Sequence, residues 1–207
     1  MKIEAVTVCV DYSDHLKCCL DNREKLDRWL IITYSKDINT IKLCEDEGLE
    51  YITTDVFYDN GAHFAKGRAI NVGLELIQPT DWILQLDADQ RLPDNFLEIA
   101  DETKLDSTCI YGAARAHKGV KRVEINHLTG EVHRRPLIGF FQMWHSSCYM
   151  SYPESSTHAG DDDEEMSMRY SYPDKWKYVD IVTDDVSGDC CNNWYGRRLH
   201  RRANVKR

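Results

Sequence analysis

The segment with the clearest chemical content spans residues 82–93 and reads WILQLDADQRLP. Its first five residues form a mostly apolar run of the length of a buried strand, and two carboxylates, Asp87 and Asp89, follow the run. Open α/β sheets bind ligands beyond the carboxyl ends of their strands. Carboxylate oxygens suit Mg²⁺ or Mn²⁺, whose remaining ligands are water and substrate phosphates. We therefore predict a divalent-cation site at this pair, in preference to a solvated strand end.

A basic segment lies shortly before the carboxylate pair. Residues 66–74 read KGRAINVGL, and apolar residues recur at helical spacing from Ile70 onward, so Lys66 and Arg68 should lie near the N-terminus of a helix. Free N–H groups and the helix dipole favour anions there. Lys66 adds a point charge, and the guanidinium of Arg68 can bind two phosphate oxygens. The two segments together predict a site for a phosphorylated ligand and its cation.

The elements that would position these residues alternate between strand and helix, which predicts a mostly parallel sheet built from right-handed crossovers. Strands are predicted at residues 3–10, 28–34, 50–53, 82–86, 107–116 and 176–183. Helices are predicted between residues 35 and 48, from residue 66 to Ile77, and at 94–102, where Asp94 would cap the helix. Residues 55–62 read as a loop, 121–135 as a hairpin, and 136–144 as either a core strand or an acceptor wall.

The composition describes a single globular domain. The chain has 207 residues, of which 42% are hydrophobic and 10% aromatic. It contains no apolar run of about 18 residues, and its first residues lead into a strand rather than a signal peptide, so we expect a cytoplasmic protein. The eight cysteines include no C-x-x-C spacing, which argues against a zinc ribbon, and we expect reduced thiols.

Charge is distributed unevenly along a chain whose formal net charge is −9. Residues 197–207 carry six Lys and Arg and no acid, which indicates either phosphate recognition or a frayed, solvated terminus. Residues 161–165 are five consecutive acids, a pattern that suits the first turn of a helix. Because this is more acid than a helix needs for capping, we predict a catalytic base among Asp161, Asp162 and Asp163.

Three segments of the first half form a set, namely TVCVDY at 7–12, KGRAINVGL at 66–74 and WILQLDADQRLP at 82–93. They resemble nucleotide-sugar-dependent glycosyltransferases with the GT-A fold, closest to the family 2-like enzymes. GFFQMW at 139–144 and AGDDDE at 159–164 lie where such enzymes place the acceptor floor and the base-bearing helix. NWYGRR at 193–198 resembles the closing segment of small glycosyltransferase-like proteins that bacteriophages encode.

The resemblance implies an α/β chain of the GT-A type, which is a Rossmann-like, mostly parallel central sheet with flanking helices and a small antiparallel hairpin. One domain would span residues 1–207. Residues 1–93 would bind the nucleotide sugar, residues 94–196 would carry the acceptor site and the base, and residues 197–207 would form a basic tail. The protein would act in the cytoplasm, which is the host cytoplasm if a phage encodes it.

Carried over by position, the resemblance assigns Asp87 and Asp89 to the metal and one of Asp161 or Asp162 to the general base. The donor nucleotide would lie against Val10, Asp11, Tyr12, Asp37, Lys66, Arg68, Asn71, Asp87, Ala88 and Asp89. The acceptor would contact Phe140, Phe141, Gln142, Trp144, Arg197 and Arg198.

One part of the family pattern is missing. Many relatives complete the metal site with a late histidine, but the corresponding segment here reads Val186-Ser187-Gly188. Asp185, Asp189, His200 or water would take its place.

The activity implied is Mn²⁺- or Mg²⁺-dependent, inverting transfer of a sugar from a nucleotide diphosphate sugar, with UDP-sugars favoured, to an acceptor hydroxyl. The acceptor would be a hydroxymethylated base in phage DNA or a cell-surface glycan. Two alternatives remain, a nucleotidyltransferase and a non-catalytic nucleotide-sugar-binding protein. A nucleotidyltransferase usually has a glycine-rich loop after its first strand, and VDYSD at 10–14 contains no glycine.

Overall fold

The computed structural model describes residues 1–62, 64–117, 120–121, 139–148, 151–154, 163, 165–166, 169 and 175–186. The strands in these ranges are β1 (Ile3–Val8), β2 (Arg28–Tyr34), β3 (Glu50–Thr54), β4 (Trp82–Leu86), β5 (Gln90–Arg91), β6 (Ile110–His117), β7 (Val120–Lys121), β8 (Phe141–His145) and β9 (Trp176–Asp185). The α-helices are α1 (Ser13–Lys17), α2 (Ile38–Glu47), α3 (Lys66–Ile77) and α4 (Phe96–Glu102). Shorter 3₁₀ helices lie at Leu20–Lys25, Val56–Gly61 and Ser146–Cys148.

The described strands form one sheet in the order β3-β2-β1-β4-β8-β6-β9-β5, with β7 paired to β6. The first four are parallel, and β8 inserts antiparallel between β4 and β6. Because β6 and β9 are parallel to each other and β6 is antiparallel to β8, both run in the direction of β4. The carboxyl ends of β1, β2, β4 and β9 therefore meet at one edge of the sheet.

Helices cover both faces of this sheet, as the buried apolar strands require. On one face, Ile70 and Leu74 of α3 pack with Val6 of β1 and Ile32 of β2. A Cβ at Gly73 would collide with the Ile32 side chain, so glycine here lets α3 approach the sheet closely. The opposite face packs against α1, α2 and α4 through a second apolar cluster. The predicted α/β fold class with a mostly parallel sheet is confirmed.

Helix α2 begins and ends where the sequence predicts. The Asp37 side chain caps its N-terminus by accepting a hydrogen bond from the Thr40 N–H at 3.2 Å. Gly48 ends the helix in the left-handed conformation, with a φ of 65°.

Several other boundaries differ from the prediction. Helix α4 begins at Phe96, because Asp94 lies in the preceding turn and its exposed carboxylate pairs with Lys25 at 3.0 Å instead of capping the helix. Strand β6 begins at Ile110 rather than at residue 107, since the Asp106 side chain holds the Thr108 N–H in a turn at 2.8 Å. The predicted loop at 55–62 contains a 3₁₀ helix. Most of the predicted hairpin at 121–135 lies outside the described residues.

Candidate active site

The two predicted metal ligands lie in the tight turn that joins β4 to β5. The Gln90 N–H donates to the Asp87 carbonyl at 3.1 Å and closes the turn. Neighbouring segments hold it from two sides, since the Asp87 N–H donates to the Phe140 carbonyl at 3.0 Å and the Val186 N–H donates to the Asp89 carbonyl at 2.9 Å. The turn is therefore fixed at the carboxyl edge of the sheet, between the residues that precede β8 and those that follow β9.

Asp87 presents one carboxylate oxygen to the protein. Its Oδ1 accepts hydrogen bonds from Lys66 Nζ at 2.8 Å and from Gln85 Nε2 at 3.1 Å. Its side chain is 36% exposed, and Oδ2 accepts no hydrogen bond from any residue in the described ranges. Oδ2 is therefore available to an external ligand.

Asp89 is held close to other negative charge. Burial raises the pKa of its carboxyl to about 6, with further contributions from Asp87 and Asp185 and an opposing one from the hydrogen bond that Gln90 donates at 3.0 Å. A bound divalent cation would reverse this effect, because it would stabilise the ionised carboxylates. The residues present thus fit a hard divalent cation.

The described part of the chain does not offer three side chains that could bind one cation together. No group of three His, Cys, Asp or Glu side chains within those ranges is arranged to hold a metal ion. Asp185 is buried at the end of β9, opposite Gln90, and its carboxylate lies 3.9 Å from the Arg115 guanidinium. Asp189 and His200, the other candidates for a third ligand, lie outside the described residues. A cation at Asp87 and Asp89 would take its remaining ligands from water and substrate.

Lys66 is more deeply buried than the sequence predicts, with 4% of its surface exposed. Its ammonium group donates to Asp87 Oδ1 at 2.8 Å, to the Gly139 carbonyl at 2.8 Å and to the Asp163 carboxylate at 3.1 Å. Burial alone would lower the pKa of Lys66, but Asp163 and Asp87 outweigh burial and raise it. All three N–H bonds of this cation are therefore used within the protein, and its expected role as a phosphate contact is not what its geometry indicates.

Asp163, one of the three acids among which the sequence predicts a base, is the one that the structure brings to this site. It is buried, accepts a hydrogen bond from the Tyr152 hydroxyl at 2.6 Å, and contacts Lys66. Burial raises the pKa of its carboxyl, against the opposing effect of Lys66. Its spacing of three residues from the buried Met166 is the sequence signal that indicates an inward-facing acid. Asp161 and Asp162, the predicted bases, lie outside the described residues.

The loop between β1 and α1, predicted to face the nucleotide base, is held by Asp37. The Asp11 N–H donates to the Asp37 carboxylate at 2.7 Å, and Asp11 itself has a φ of 61°, which is uncommon for a residue with a side chain. Val10 is buried, and the Tyr12 ring lies 4.8 Å from the ring of His15. Asp37 is also buried, so its place is beneath the loop, whereas Asp11 is half-exposed at the edge of the sheet.

Arg68 and Asn71 of α3 contact other segments of the chain. Arg68 is half-buried and donates to the Asp59 carbonyl at 3.3 Å. Asn71 is buried and makes two hydrogen bonds to the backbone of Tyr152, at 2.9 Å and 2.6 Å, and one to Glu154 at 2.5 Å. These contacts tie the helix to residues 151–154 beside the site.

Four of the residues predicted to contact the acceptor, Phe140, Phe141, Gln142 and Trp144, are buried, which favours the core-strand alternative for residues 136–144. Phe141, Gln142 and Trp144 are buried on β8, because this strand is inserted in the middle of the sheet and both of its faces are covered. Phe140 precedes the strand, and the Arg115 guanidinium lies 5.1 Å from its ring centre. Arg197 and Arg198 lie outside the described residues.

No protein-family model and no curated protein sequence matches this chain. Solved structures with the same fold do match it. A mannosyltransferase from Pyrobaculum calidifontis, in complex with GDP-Man and Mn²⁺, is similar over 98% of this chain and 61% of its own, with a TM-score of 0.62 at 13% identity. Glucosyl-3-phosphoglycerate synthase from Mycobacterium tuberculosis, in complex with Mn²⁺, UDP-glucose and phosphoglyceric acid, is similar over 87% of this chain and 70% of its own, with a TM-score of 0.59 at 13% identity.

A structure with a different named activity also matches. A putative glucose-1-phosphate thymidylyltransferase from Bacillus anthracis is similar over 99% of this chain and 97% of its own, with a TM-score of 0.52 at 9% identity.

None of the helices in the described ranges is both long enough and apolar enough to cross a membrane. The sheet order, the flanking helices and the matched structures agree on the architecture. This chain has the Rossmann-like α/β fold of the GT-A nucleotide-sugar glycosyltransferases.

Proposed function

We propose that this chain is a metal-dependent glycosyltransferase that moves a sugar from a nucleotide diphosphate sugar to an acceptor hydroxyl. The observation that carries the proposal is the carboxylate pair Asp87 and Asp89 at the carboxyl edge of a GT-A sheet, where burial and neighbouring carboxylates raise the pKa of Asp89 to about 6. Such a pair is suited to a cation that is shared with a diphosphate.

Glycosyl transfer leaves negative charge on the departing nucleotide diphosphate. Mg²⁺ or Mn²⁺, when bound at Asp87 and Asp89, would supply Lewis-acid stabilisation of that charge. The protein holds the two carboxylates in place, because the turn that carries them is hydrogen-bonded to segments on both sides. We favour UDP-sugars as donors and take GDP-sugars as the second class to test.

The acceptor hydroxyl must lose a proton as it attacks the sugar, and a positioned carboxylate can accept that proton. We assign this role to Asp161 or Asp162, since Asp163 is already bonded to Lys66 and Tyr152. A base that deprotonates the acceptor hydroxyl as the hydroxyl attacks the anomeric carbon directly makes the reaction an inverting single displacement. Substitution of the base by Asn should lower kcat by about 10²–10⁴-fold without changing the Kd for the nucleotide, and NMR of the product anomer tests inversion.

Two acceptor classes follow from the sequence, a hydroxymethylated base in DNA and a cell-surface glycan. With DNA, Arg197 and Arg198 would contact the phosphate backbone, so transfer should fall steeply with salt. The assay compares hydroxymethylated DNA, unmodified DNA and a glycan panel at low and high salt. Transfer to glycan only, with little dependence on salt, would exclude the DNA acceptor.

A nucleotidyltransferase is the second candidate, because the thymidylyltransferase fold covers nearly the whole chain. The two reactions release different products. A glycosyltransferase releases a nucleoside diphosphate from a sugar nucleotide, whereas a nucleotidyltransferase releases pyrophosphate from a nucleoside triphosphate and a sugar phosphate.

The test is product release from UDP- and GDP-sugars, with and without Mn²⁺, for the wild type, Asp89→Ala and the control Asp46→Ala, whose carboxylate is exposed on α2. The proposal expects Mn²⁺-dependent release of UDP or GDP by the wild type and the control, and its loss in Asp89→Ala. In a parallel assay with a nucleoside triphosphate and a sugar phosphate, release of pyrophosphate would support the nucleotidyltransferase instead. Binding of a sugar nucleotide without turnover would indicate a non-catalytic binding protein.

A further inference from the structure

Resting on the proposed cation site, we propose that Gln85 and Lys66 are positioning residues for Asp87. Both donate to its Oδ1, and together they fix the carboxylate so that Oδ2 is left for the cation. Lys66 thus serves the donor site through Asp87 rather than by binding the diphosphate.

The positioning role is easier to assign to Gln85 than to Lys66, because the Gln85 amide makes no other hydrogen bond within the described residues. It is buried in the centre of β4, between β1 and β8, and lies on the same face of the strand as Asp87, two residues later. Its Nε2 donates to Asp87 Oδ1 at 3.1 Å, while its Oε1 has no hydrogen-bond partner among the described residues. An unpaired buried amide oxygen costs stability, so an apolar residue would suit this strand better if packing were its only role.

Lys66 supplies the second bond to Oδ1 and is itself fixed by two further contacts. Its other two N–H bonds go to the Gly139 carbonyl and to Asp163, which belong to different segments of the chain. The ammonium group therefore cannot turn toward an incoming phosphate without depriving the buried Asp163 carboxylate of a cationic partner. Its geometry supports a fixed counter-charge that sets the position of Asp87.

Gly139 makes this arrangement possible. A Cβ at this position would collide with the Asp163 carboxyl group. Glycine allows the carboxylate to lie against the backbone beside the carbonyl that Lys66 contacts. A side chain here would displace Asp163 from Lys66 without changing any charge in the site.

The decisive variant is Gln85→Leu, because it removes one bond to Oδ1 while keeping the net charge and nearly the volume. Mn²⁺ is titrated into the protein alone, and again with UDP or GDP, and free Mn²⁺ is followed by electron paramagnetic resonance. We expect the Mn²⁺ affinity to fall about tenfold, as for other residues that orient metal ligands, with the urea midpoint unchanged or raised. The exposed Gln78→Leu is the control and should bind Mn²⁺ as the wild type does.

Gly139→Ala is the second variant and tests Lys66 in the same titration. It should also weaken Mn²⁺ binding. Lys66→Met would be ambiguous, because loss of a positive charge by itself favours binding of a cation.

Unchanged Mn²⁺ affinity in a folded Gln85→Leu protein would overturn the positioning role while leaving the proposed function intact. A wild type that binds no Mn²⁺, with or without nucleotide, would overturn the cation site and the positioning role together.

Discussion

At the scale of single residues, Asp89 makes the stability of the protein dependent on pH. Its pKa of about 6 lies above the ordinary value of 3.8, so the folded state holds a proton that the unfolded chain releases. This proton stabilises the fold fully below the ordinary value, and the contribution is lost as the pH rises through about 6.

We therefore predict that, in a metal-free buffer, the Tm of the wild type falls relative to that of Asp89→Asn between about pH 4 and about pH 7. Thermal unfolding of both proteins across this range checks the prediction. Addition of Mn²⁺ at the upper end should raise the Tm of the wild type and not that of the variant. Parallel pH profiles for the two proteins would show that burial and the neighbouring carboxylates do not raise the pKa of Asp89 in the folded protein.

Asp37 is the residue whose role changed most between sequence and structure. It was expected to contact the donor, but its carboxylate accepts hydrogen bonds from the Asp11 N–H at 2.7 Å and from the Thr40 N–H and hydroxyl at 3.2 Å and 2.6 Å. Asp37→Ala should cost about 2 kcal/mol, because a helix cap is lost and buried donors are left unpaired. Urea unfolding measures the loss. Asp46→Ala, on the exposed face of the same helix, should change stability by less than about 0.5 kcal/mol, and an equal effect of both substitutions would contradict the capping role.

At the scale of elements, Asn71 joins α3 to the segment at 151–154. Its three hydrogen bonds to Tyr152 and Glu154 are buried or partly buried, and Leu has a similar volume but cannot make them. We expect Asn71→Leu to lower the free energy of unfolding by about 2 kcal/mol, since the Tyr152 N–H and carbonyl would lose their partner. Asn95→Leu is the control, because Asn95 is exposed and its side chain makes no cap hydrogen bond to α4. No difference between the two variants in urea unfolding would contradict the role of Asn71.

Much of the first half of the fold could be predicted from local patterns. Strands β1, β2 and β4 are mostly apolar and nearly all of their residues are buried, which is the pattern of strands covered on both faces. Helix α2 carries its start and stop signals in Asp37 and Gly48. These features depend on neighbouring residues alone, so the sequence displays them.

The position of β8 could not be predicted in the same way. An aromatic and apolar run fits a core strand and an exposed acceptor wall equally well, and strand order decides between them. The burial of Lys66 could not be predicted for a similar reason. Its partners Asp87 and Asp163 are 21 and 97 residues away in the chain, and without them the same lysine at a helix N-terminus indicates a phosphate contact.

At the scale of the whole molecule, the sheet brings distant segments to one edge. Four segments converge there. Asp89 comes from the turn after β4, Asp185 from the end of β9, Gly139 from the residues before β8, and Lys66 from the N-terminus of α3. This edge is where open α/β sheets bind ligands. The sequence placed Asp87 and Asp89 after a buried strand at this edge, while the network of side chains that holds the pair depends on the tertiary structure.

We propose that Asp87 and Asp89 hold a divalent cation against a nucleotide diphosphate. Calorimetric titration of UDP and of GDP into the wild type, Asp89→Asn and the control Asp46→Asn, with Mn²⁺ and with a chelator, tests it most directly. We predict that one of the two nucleotides binds the wild type and the control in Mn²⁺, and that its affinity falls at least about tenfold with the chelator or in Asp89→Asn. Equal affinity under all conditions, or no binding of either nucleotide, would contradict the assignment of this pair as the donor site.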